Sequence, residues 1–227
     1  MLVKDWMGTD IKAVRPDDTI EHAAKRYRKN DTGALLVFDK GKLVGVVTER
    51  DIAKASVSEF LPLDKAEVQD ILDLIQVKQI MSPHPLTVSL EHTMDEAAEM
   101  LLKHKISVVP VVDDDGKVAG IINRNDIMQF LMSITGGDQI GWQLNFSVQD
   151  QAERINNIIN IIKDYNGRIW NIASSYHKVP YGFRKVSMRV YNVVPDNIPA
   201  LLKRVKKEAP ELYVIDYIQN DRGLFEG

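Results

Sequence analysis

The chain repeats itself once within its first 133 residues. Val3-Lys4-Asp5-Trp6-Met7 returns as Val77-Lys78-Gln79-Ile80-Met81, seventy-four positions later. Three single residues further along have counterparts in the same order. These pairs are Thr19 and Thr93, Gly45 and Gly120, and Asp51 and Asp126. The last two pairs are offset by one more residue, which falls in a polar turn where an insertion costs little. The sequence therefore predicts a tandem duplication with an insertion in a hairpin.

Both units of the duplication predict the same order of elements. Thr19 and Thr93 each precede a helix with apolar residues at helical spacing, and Thr93 with Glu96 fits a capping box. Two β-rich apolar runs joined by a turn follow in each unit, and a second helix is expected to begin at Asp51 or Asp126. The runs are 34–38 and 43–47, then 108–112 and 118–122. A helix linking the two units is marked by Val68, Ile71, Leu72 and Ile75.

A different pattern follows Gly136-Gly137, which marks a boundary. The order is strand, helix, strand, strand, helix, strand, which predicts an antiparallel sheet with both helices on one face. The strands are expected at 142–148, 168–176, 183–193 and 212–218. The helices carry the apolar stripes Ile155, Ile158, Ile159 and Ile162, and Ile198, Leu201, Leu202 and Val205.

The composition and motifs of the 227-residue chain exclude several classes of function. The formal net charge of −3 gives no general attraction to nucleic acid, and no stretch has the apolar length of a membrane span or signal peptide. The chain has no cysteine, and its five histidines lack metal-ligand spacing. A Ser/His/Asp set, a P-loop and a dinucleotide glycine fingerprint are missing as well. We expect a cytoplasmic protein with no catalytic residue, catalytic cofactor, metal, nucleic-acid partner or membrane partner.

The duplicated segments 45–51 and 120–126 resemble the glycine–hydrophobic–x–Ser/Thr–x–x–Asp signature of CBS repeats. They read Gly-Val-Val-Thr-Glu-Arg-Asp and Gly-Ile-Ile-Asn-Arg-Asn-Asp. This resemblance covers about residues 1–133 and implies that two repeats pack into one module around pseudo-twofold clefts that bind adenosine nucleotides. The expected fold is mixed α+β. Its parts are repeat 1 with the linking helix at 1–74, repeat 2 at 75–135, a further domain at 138–220 and a tail at 221–227.

The chemistry of such a cleft follows from its residue types. A strand that ends just before a helix offers unpaired backbone N–H groups and the positive end of a dipole, which suit a phosphate. The Thr48 hydroxyl adds a donor, and the Asp51 carboxylate can accept both hydroxyls of a ribose. The alternative is a purely structural role, in which Asp51 and Asp126 are helix N-cap residues and Thr48 only ends a strand.

The CBS resemblance implies two clefts. The residues of the first would be Gly33, Ala34, Thr48, Arg50, Asp51, Ser82 and Ile106. Those of the second would be Thr9, Ser107, Asn123 and Asp126, in which Asn123 departs from the Ser/Thr of the signature. Phosphate could also be neutralised by Arg50, Lys105 and Arg124, or by His104, although solvent-exposed charge is the bland reading of each.

The βαββαβ order at 138–220 resembles an ACT domain, a ferredoxin-like module that commonly dimerises and binds amino acids. Its ligand loop usually carries an Asp-x-x-Gly-like turn, which the segment 148–153 lacks, so a dimerisation domain is favoured. The order CBS-CBS-ACT resembles bacterial acetoin-utilisation regulatory proteins. It implies a homodimeric sensor of AMP, ADP, ATP or S-adenosylmethionine that signals through dimerisation or a protein partner. The alternatives are a scaffold with vacant clefts and an enzyme of acetoin or amino-acid metabolism.

Overall fold

The computed structural model of the protein describes residues 1–28, 33–55 and 74–226. It divides into two compact units, Met1–Phe130 and Leu131–Gly227. Most of the linking helix expected around Val68 and Ile71 lies outside the described residues. Within the described ranges, no helix combines the length and the apolar character needed to cross a membrane.

The first unit contains the duplicated elements in the predicted order. Its helices are α1 (Ile20–Arg28), α2 (Glu49–Ala55), α3 (Met94–Lys103) and the first seven residues of α4 (Arg124–Thr135), which continues past Phe130. Its strands are β1 (Ala13–Val14), β2 (Ala34–Asp39), β3 (Lys42–Thr48), β4 (Ser82–Pro83), β5 (Val88–Ser89), β6 (Val108–Val112) and β7 (Val118–Asn123). The predicted capping box is confirmed, because the Thr93 hydroxyl accepts from the Glu96 N–H while the Glu96 carboxylate accepts from the Thr93 N–H.

The strands of the first unit form two sheets, in the orders β1-β2-β3-β4 and β5-β6-β7. In each, an antiparallel hairpin pairs with one short parallel strand. The two sheets share an apolar cluster to which both hairpins contribute. Its buried members are Ala34, Leu36, Val46, Val108 and Ile121. This shared cluster joins the repeats into one module.

Each repeat also lends its first residues to the core of the other. Val3 is fully buried among side chains of the second repeat, and its N–H donates to the His92 carbonyl at 2.8 Å. Val77 is fully buried among side chains of the first repeat, and its N–H donates to the Asp18 carbonyl at 2.8 Å. Burying a valine contributes about 1.5–3 kcal/mol, so neither repeat has its complete core without the other.

The two signature glycines lie where these exchanged segments cross the sheets. A Cβ on Gly45 would stand 2.5 Å from the Met81 sulfur, and one on Gly120 would stand 2.6 Å from the Met7 sulfur. The Gly120 position is also only 2.8 Å from the backbone oxygen of Gly8. At Gly120 the backbone oxygen leaves no room for a side chain, whereas at Gly45 the nearest neighbour is the flexible Met81 side chain, which would have to shift to admit one.

The second unit is a βαββαβ unit with one added strand. Its helices are α5 (Ala152–Asp164) and α6 (Ile198–Glu208). Its strands are β8 (Trp142–Gln149), β9 (Arg168–Ser175), β10 (Phe183–Tyr191), β11 (Tyr213–Asp216) and β12 (Asp221–Leu224). All pairings in the sheet, ordered β12-β11-β8-β10-β9, are antiparallel. Both helices pack in one core with alternate residues of β8 and β10, so the prediction of helices on one face is confirmed.

The last strand corrects the prediction of a tail at 221–227. Residues 221–224 pair with β11, from Asp221 opposite Asp216 to Leu224 opposite Tyr213. The four residues of β12 carry too few apolar side chains to show strand periodicity. Backbone hydrogen bonding to β11 and the tight turn before Asp221 place them in the sheet.

Replacing Gly120 with Ala tests the close crossing of the exchanged segments. The added Cβ meets the Gly8 carbonyl, which cannot rotate away, so we expect a loss of about 1–3 kcal/mol in the free energy of unfolding. The matched control is Gly8→Ala, because a Cβ there lies no closer than 3.9 Å to any neighbour. Urea unfolding of the three proteins measures the difference, and equal stability of the two variants would contradict the crossing.

Candidate functional site

The first unit holds a cleft of about 560 Å³ to which both repeats contribute. Its wall combines the end of β3, the start of α2, the segment around β4, and residues 105–108. Six of the seven residues predicted for the first cleft line it, namely Gly33, Thr48, Arg50, Asp51, Ser82 and Ile106. The seventh, Ala34, is 1% exposed and belongs to the apolar cluster between the sheets. The structure thus places side chains that are far apart in sequence around one cavity.

The exchanged segment brings Ser82 into the cleft. Strand β4 pairs antiparallel with β3, and Ser82 lies opposite Val46, two residues before Thr48. Pairing at this point places the start of the second repeat beside the end of a strand of the first. The cleft is therefore composite, because neither repeat alone supplies all of its lining residues.

Thr48 and Asp51 form a hydrogen-bonded corner at the start of α2. The Thr48 N–H donates to Asp51 Oδ2 at 2.9 Å, and the Thr48 hydroxyl donates to the same oxygen at 2.7 Å. Helix α2 begins at Glu49, so Asp51 is its third residue and Thr48 precedes it. The expectation that the helix begins at Asp51 is wrong, and so is the alternative that Asp51 is its N-cap residue. A carboxylate in the third position reaches back to the N–H of the preceding cap residue, as in a capping box.

The second repeat has the same arrangement with asparagine in place of threonine. Helix α4 begins at Arg124, and the Asn123 N–H donates to Asp126 Oδ2 at 2.7 Å, so Asp126 also is not the N-cap residue. The Asn123 side-chain oxygen accepts from the N–H groups of Asn125 at 2.7 Å and Asp126 at 3.1 Å. Asn123 therefore uses its amide oxygen to cap the helix. Burial raises the pKa of Asp126, whereas the hydrogen bond from Asn123 lowers it.

The grouping of Thr9, Ser107, Asn123 and Asp126 as a second cleft stays a prediction. Ser107 lines the first cleft, beside Ile106. Thr9, Asn123 and Asp126 are not among the described residues that line that cleft, and Thr9 is exposed next to Gly8, which bridges to Ile121. Ser107 lies there because residues 106–108 of the second repeat line the cleft together with Thr48 of the first.

The cleft carries more cations than carboxylates. Arg50 and Lys54 come from α2, and Lys105 and Arg124 come from the second repeat. Two of its lining residues are acidic, Glu49 and Asp51. The Arg124 guanidinium donates to the Ile106 carbonyl at 3.1 Å, which holds it at the wall. Such a surface suits an anionic ligand.

Some lining residues were missed by sequence reasoning. Lys54 follows Arg50 by one helical turn, so helical spacing alone would have placed both on one face. His84 and its neighbours Pro83, Pro85 and Leu86 extend the wall beyond Ser82. Tyr27, from α1, also lines the cleft, and nothing in its local sequence indicates this because it depends on how the helix packs. The proposed phosphate neighbour His104 is not among the described lining residues.

Comparisons with known proteins agree with this architecture. The CBS domain family model matches residues 3–58 and 77–133. A CBS domain-containing protein of Dictyostelium discoideum is 30% identical over 135 residues, which are 59% of this chain and 93% of that protein. The solved CBS domain structure NE2398 is 30% identical, has a TM-score of 0.50, and is matched over 59% of this chain and 98% of its own.

A third comparison is with CBSX2 of Arabidopsis thaliana, which was solved in complex with AMP. It is 28% identical with a TM-score of 0.48, over 59% of this chain and 97% of its own. The duplicated units are a pair of CBS domains that form one module. The chain belongs to the CBS domain family.

Proposed function

We propose that this protein is a regulatory sensor rather than an enzyme, and that its cleft binds an adenine nucleotide or S-adenosylmethionine. The observation that carries the proposal is that the Thr48–Asp51 corner lines the same cavity as a set of cationic side chains and a set of apolar ones. A nucleotide has the same three parts, because a polar ribose joins an anionic phosphate to a flat base.

Asp51 is the proposed ribose-binding residue. Both of its capping hydrogen bonds are accepted by Oδ2, and a carboxylate has four lone-pair positions in all. Oδ1 can therefore accept from ribose hydroxyls while Oδ2 stays with Thr48. The side chain is half-buried, so such bonds form partly out of water and are strengthened. Capping and ligand binding are thus compatible in one carboxylate.

The base and phosphate have separate places. Ile106, Val108 and Val46 supply apolar surface to the cleft, which suits the faces of an adenine ring. The hydroxyl of Ser82 and the guanidinium of Arg50 supply donors for phosphate oxygens. Gly33 adds no side chain to the wall and leaves room beside the base. The volume of about 560 Å³ falls in the range of small-molecule sites, roughly 300–1,000 Å³.

The test replaces Asp51 with Asn, which keeps an oxygen for the Thr48 N–H but removes the charge. Hydrogen bonds to charged groups contribute about 1.5–3 kcal/mol, so we expect AMP binding to weaken roughly 10-fold to 100-fold. Asp126→Asn is the matched control, because it makes the same change at the equivalent position of the other repeat. Calorimetric titration of AMP, ADP, ATP and S-adenosylmethionine provides the measurement.

Three results would contradict the proposal. Failure of the folded parent protein to bind any of these compounds at millimolar concentration would favour a scaffold with vacant clefts. Equal weakening of ligand binding by Asp51→Asn and Asp126→Asn would contradict the assignment of Asp51 as the ribose-binding residue. Turnover of acetoin by the purified protein would favour an enzyme.

We also propose that the second unit is an ACT-type domain through which two copies of the chain pair. Its βαββαβ order and one-sided helices support this, as does the resemblance to acetoin-utilisation regulators. The unit exposes several large apolar side chains, including Trp170 at 48% and Leu224 at 67%. These two residues lie on β9 and β12, the edge strands of the sheet, and an edge strand can pair with a second chain. Ligand binding in the cleft would then be signalled by a change in how two chains pair or in how the chain contacts a protein partner.

Sedimentation equilibrium of the intact protein tests the pairing. We expect a mass of two chains at micromolar concentration, because pairing of one surface with its own copy closes after two chains. A single-chain mass at every concentration, with and without AMP, would contradict the proposal.

A further inference from the structure

Four cationic side chains line the cleft, and the two repeats supply two each. Arg50 and Lys54 lie one turn apart on α2, whereas Lys105 and Arg124 flank the strands of the second repeat. All four residues are exposed, so their charges reach the solvent that fills the cleft. A ligand between the repeats would meet positive charge from both sides.

These charges are not neutralised by the described part of the chain. Within it, ion pairs shorter than 4.0 Å involve other residues, and none includes Arg50, Lys54, Lys105 or Arg124. Of the two carboxylates in the wall, Asp51 already accepts two hydrogen bonds from Thr48. Arg124 is oriented by a neutral carbonyl, that of Ile106. Among the described residues that line the cleft, four lysine and arginine side chains therefore stand against two carboxylates.

We propose that this cross-repeat set of cations selects the ligand by charge, so that the cleft favours a nucleoside polyphosphate over a monophosphate. The same set disfavours a nucleoside that carries a positive charge, such as the sulfonium compound S-adenosylmethionine. This inference rests on the proposed function and narrows it. Each added phosphate brings negative charge that can reach cations of both repeats, whereas a sulfonium at the same place is repelled. Arg50 and Lys54 on one side, and Lys105 and Arg124 on the other, are the specificity-determining residues.

Calorimetric titration of the full chain with six compounds tests the selection. These are adenosine, AMP, ADP, ATP, 5′-methylthioadenosine and S-adenosylmethionine, with the nucleotides as sodium salts in EDTA. We expect affinity to rise from adenosine to ATP, with ATP binding about 10-fold tighter than AMP at low salt. S-adenosylmethionine should bind more weakly than the uncharged 5′-methylthioadenosine. Both differences should shrink at about 0.5 M salt, where charges more than a few ångströms apart are screened.

Charge variants assign the effect to the cleft. Lys54→Gln and Lys105→Gln should each weaken ATP about fivefold, the upper range for an exposed ion pair, and change adenosine less than twofold. Lys42→Gln is the control, because it removes the same charge from an exposed position of β3 outside the cleft. It should leave ATP binding unchanged.

The outcomes separate this inference from the function on which it rests. If adenosine and AMP bind but ATP binds no tighter than AMP, charge selection is overturned while nucleotide binding stands. It is also overturned if S-adenosylmethionine binds as well as 5′-methylthioadenosine, or if Lys42→Gln weakens ATP as much as Lys54→Gln. If none of the six compounds binds, the proposed function and the charge selection fail together.

Discussion

The exchange of first segments between the two repeats is the constraint on which the rest of the first unit depends. Val3 completes one core and Val77 the other, and each does so from the opposite repeat. Because the same segments continue across the sheets, they also place Ser82 beside β3 and Gly8 beside β7. The close approach explains why each signature has glycine at Gly45 and Gly120. The cleft is a consequence of this exchange, since its walls come from both repeats.

The duplication does not make the two halves chemically equal. In the first repeat, the N–H and the hydroxyl of Thr48 both donate to one carboxylate oxygen of Asp51, at the start of a helix that faces the cleft. In the second, Asn123 uses its amide oxygen for the helix, and burial raises the pKa of Asp126, so its carboxylate is less readily charged. The two corners therefore differ in their bonding, because Thr48 donates its hydroxyl to Asp51 whereas the Asn123 side chain accepts two backbone N–H bonds.

Much of the fold could be predicted from the sequence, because strong periodicity and capping are local properties. The Thr93–Glu96 capping box, the hairpins and the βαββαβ order depend on residues close together in the chain. The exchange of Val3 and Val77 could not be predicted, because the similar sequences around them do not say which core each one enters. The positions of Ser107 and Tyr27 in the cleft depend likewise on packing between elements. Lys54 could have been predicted from helical spacing, because it lies one turn after Arg50. Strand β12 could not, because it depends on backbone pairing with β11. Ser82 was predicted only through the resemblance to CBS repeats.

Hydrogen–deuterium exchange of the intact protein, with and without saturating AMP, tests most directly whether one ligand site spans both repeats. Opening of backbone hydrogen bonds around a bound ligand is suppressed, so exchange slows wherever the ligand contacts the chain. The composite cleft predicts slower exchange in residues 48–54 of the first repeat and, at the same AMP concentration, in residues 82–86 and 105–108 of the second. Protection confined to one repeat, or none in any of these segments, would contradict it.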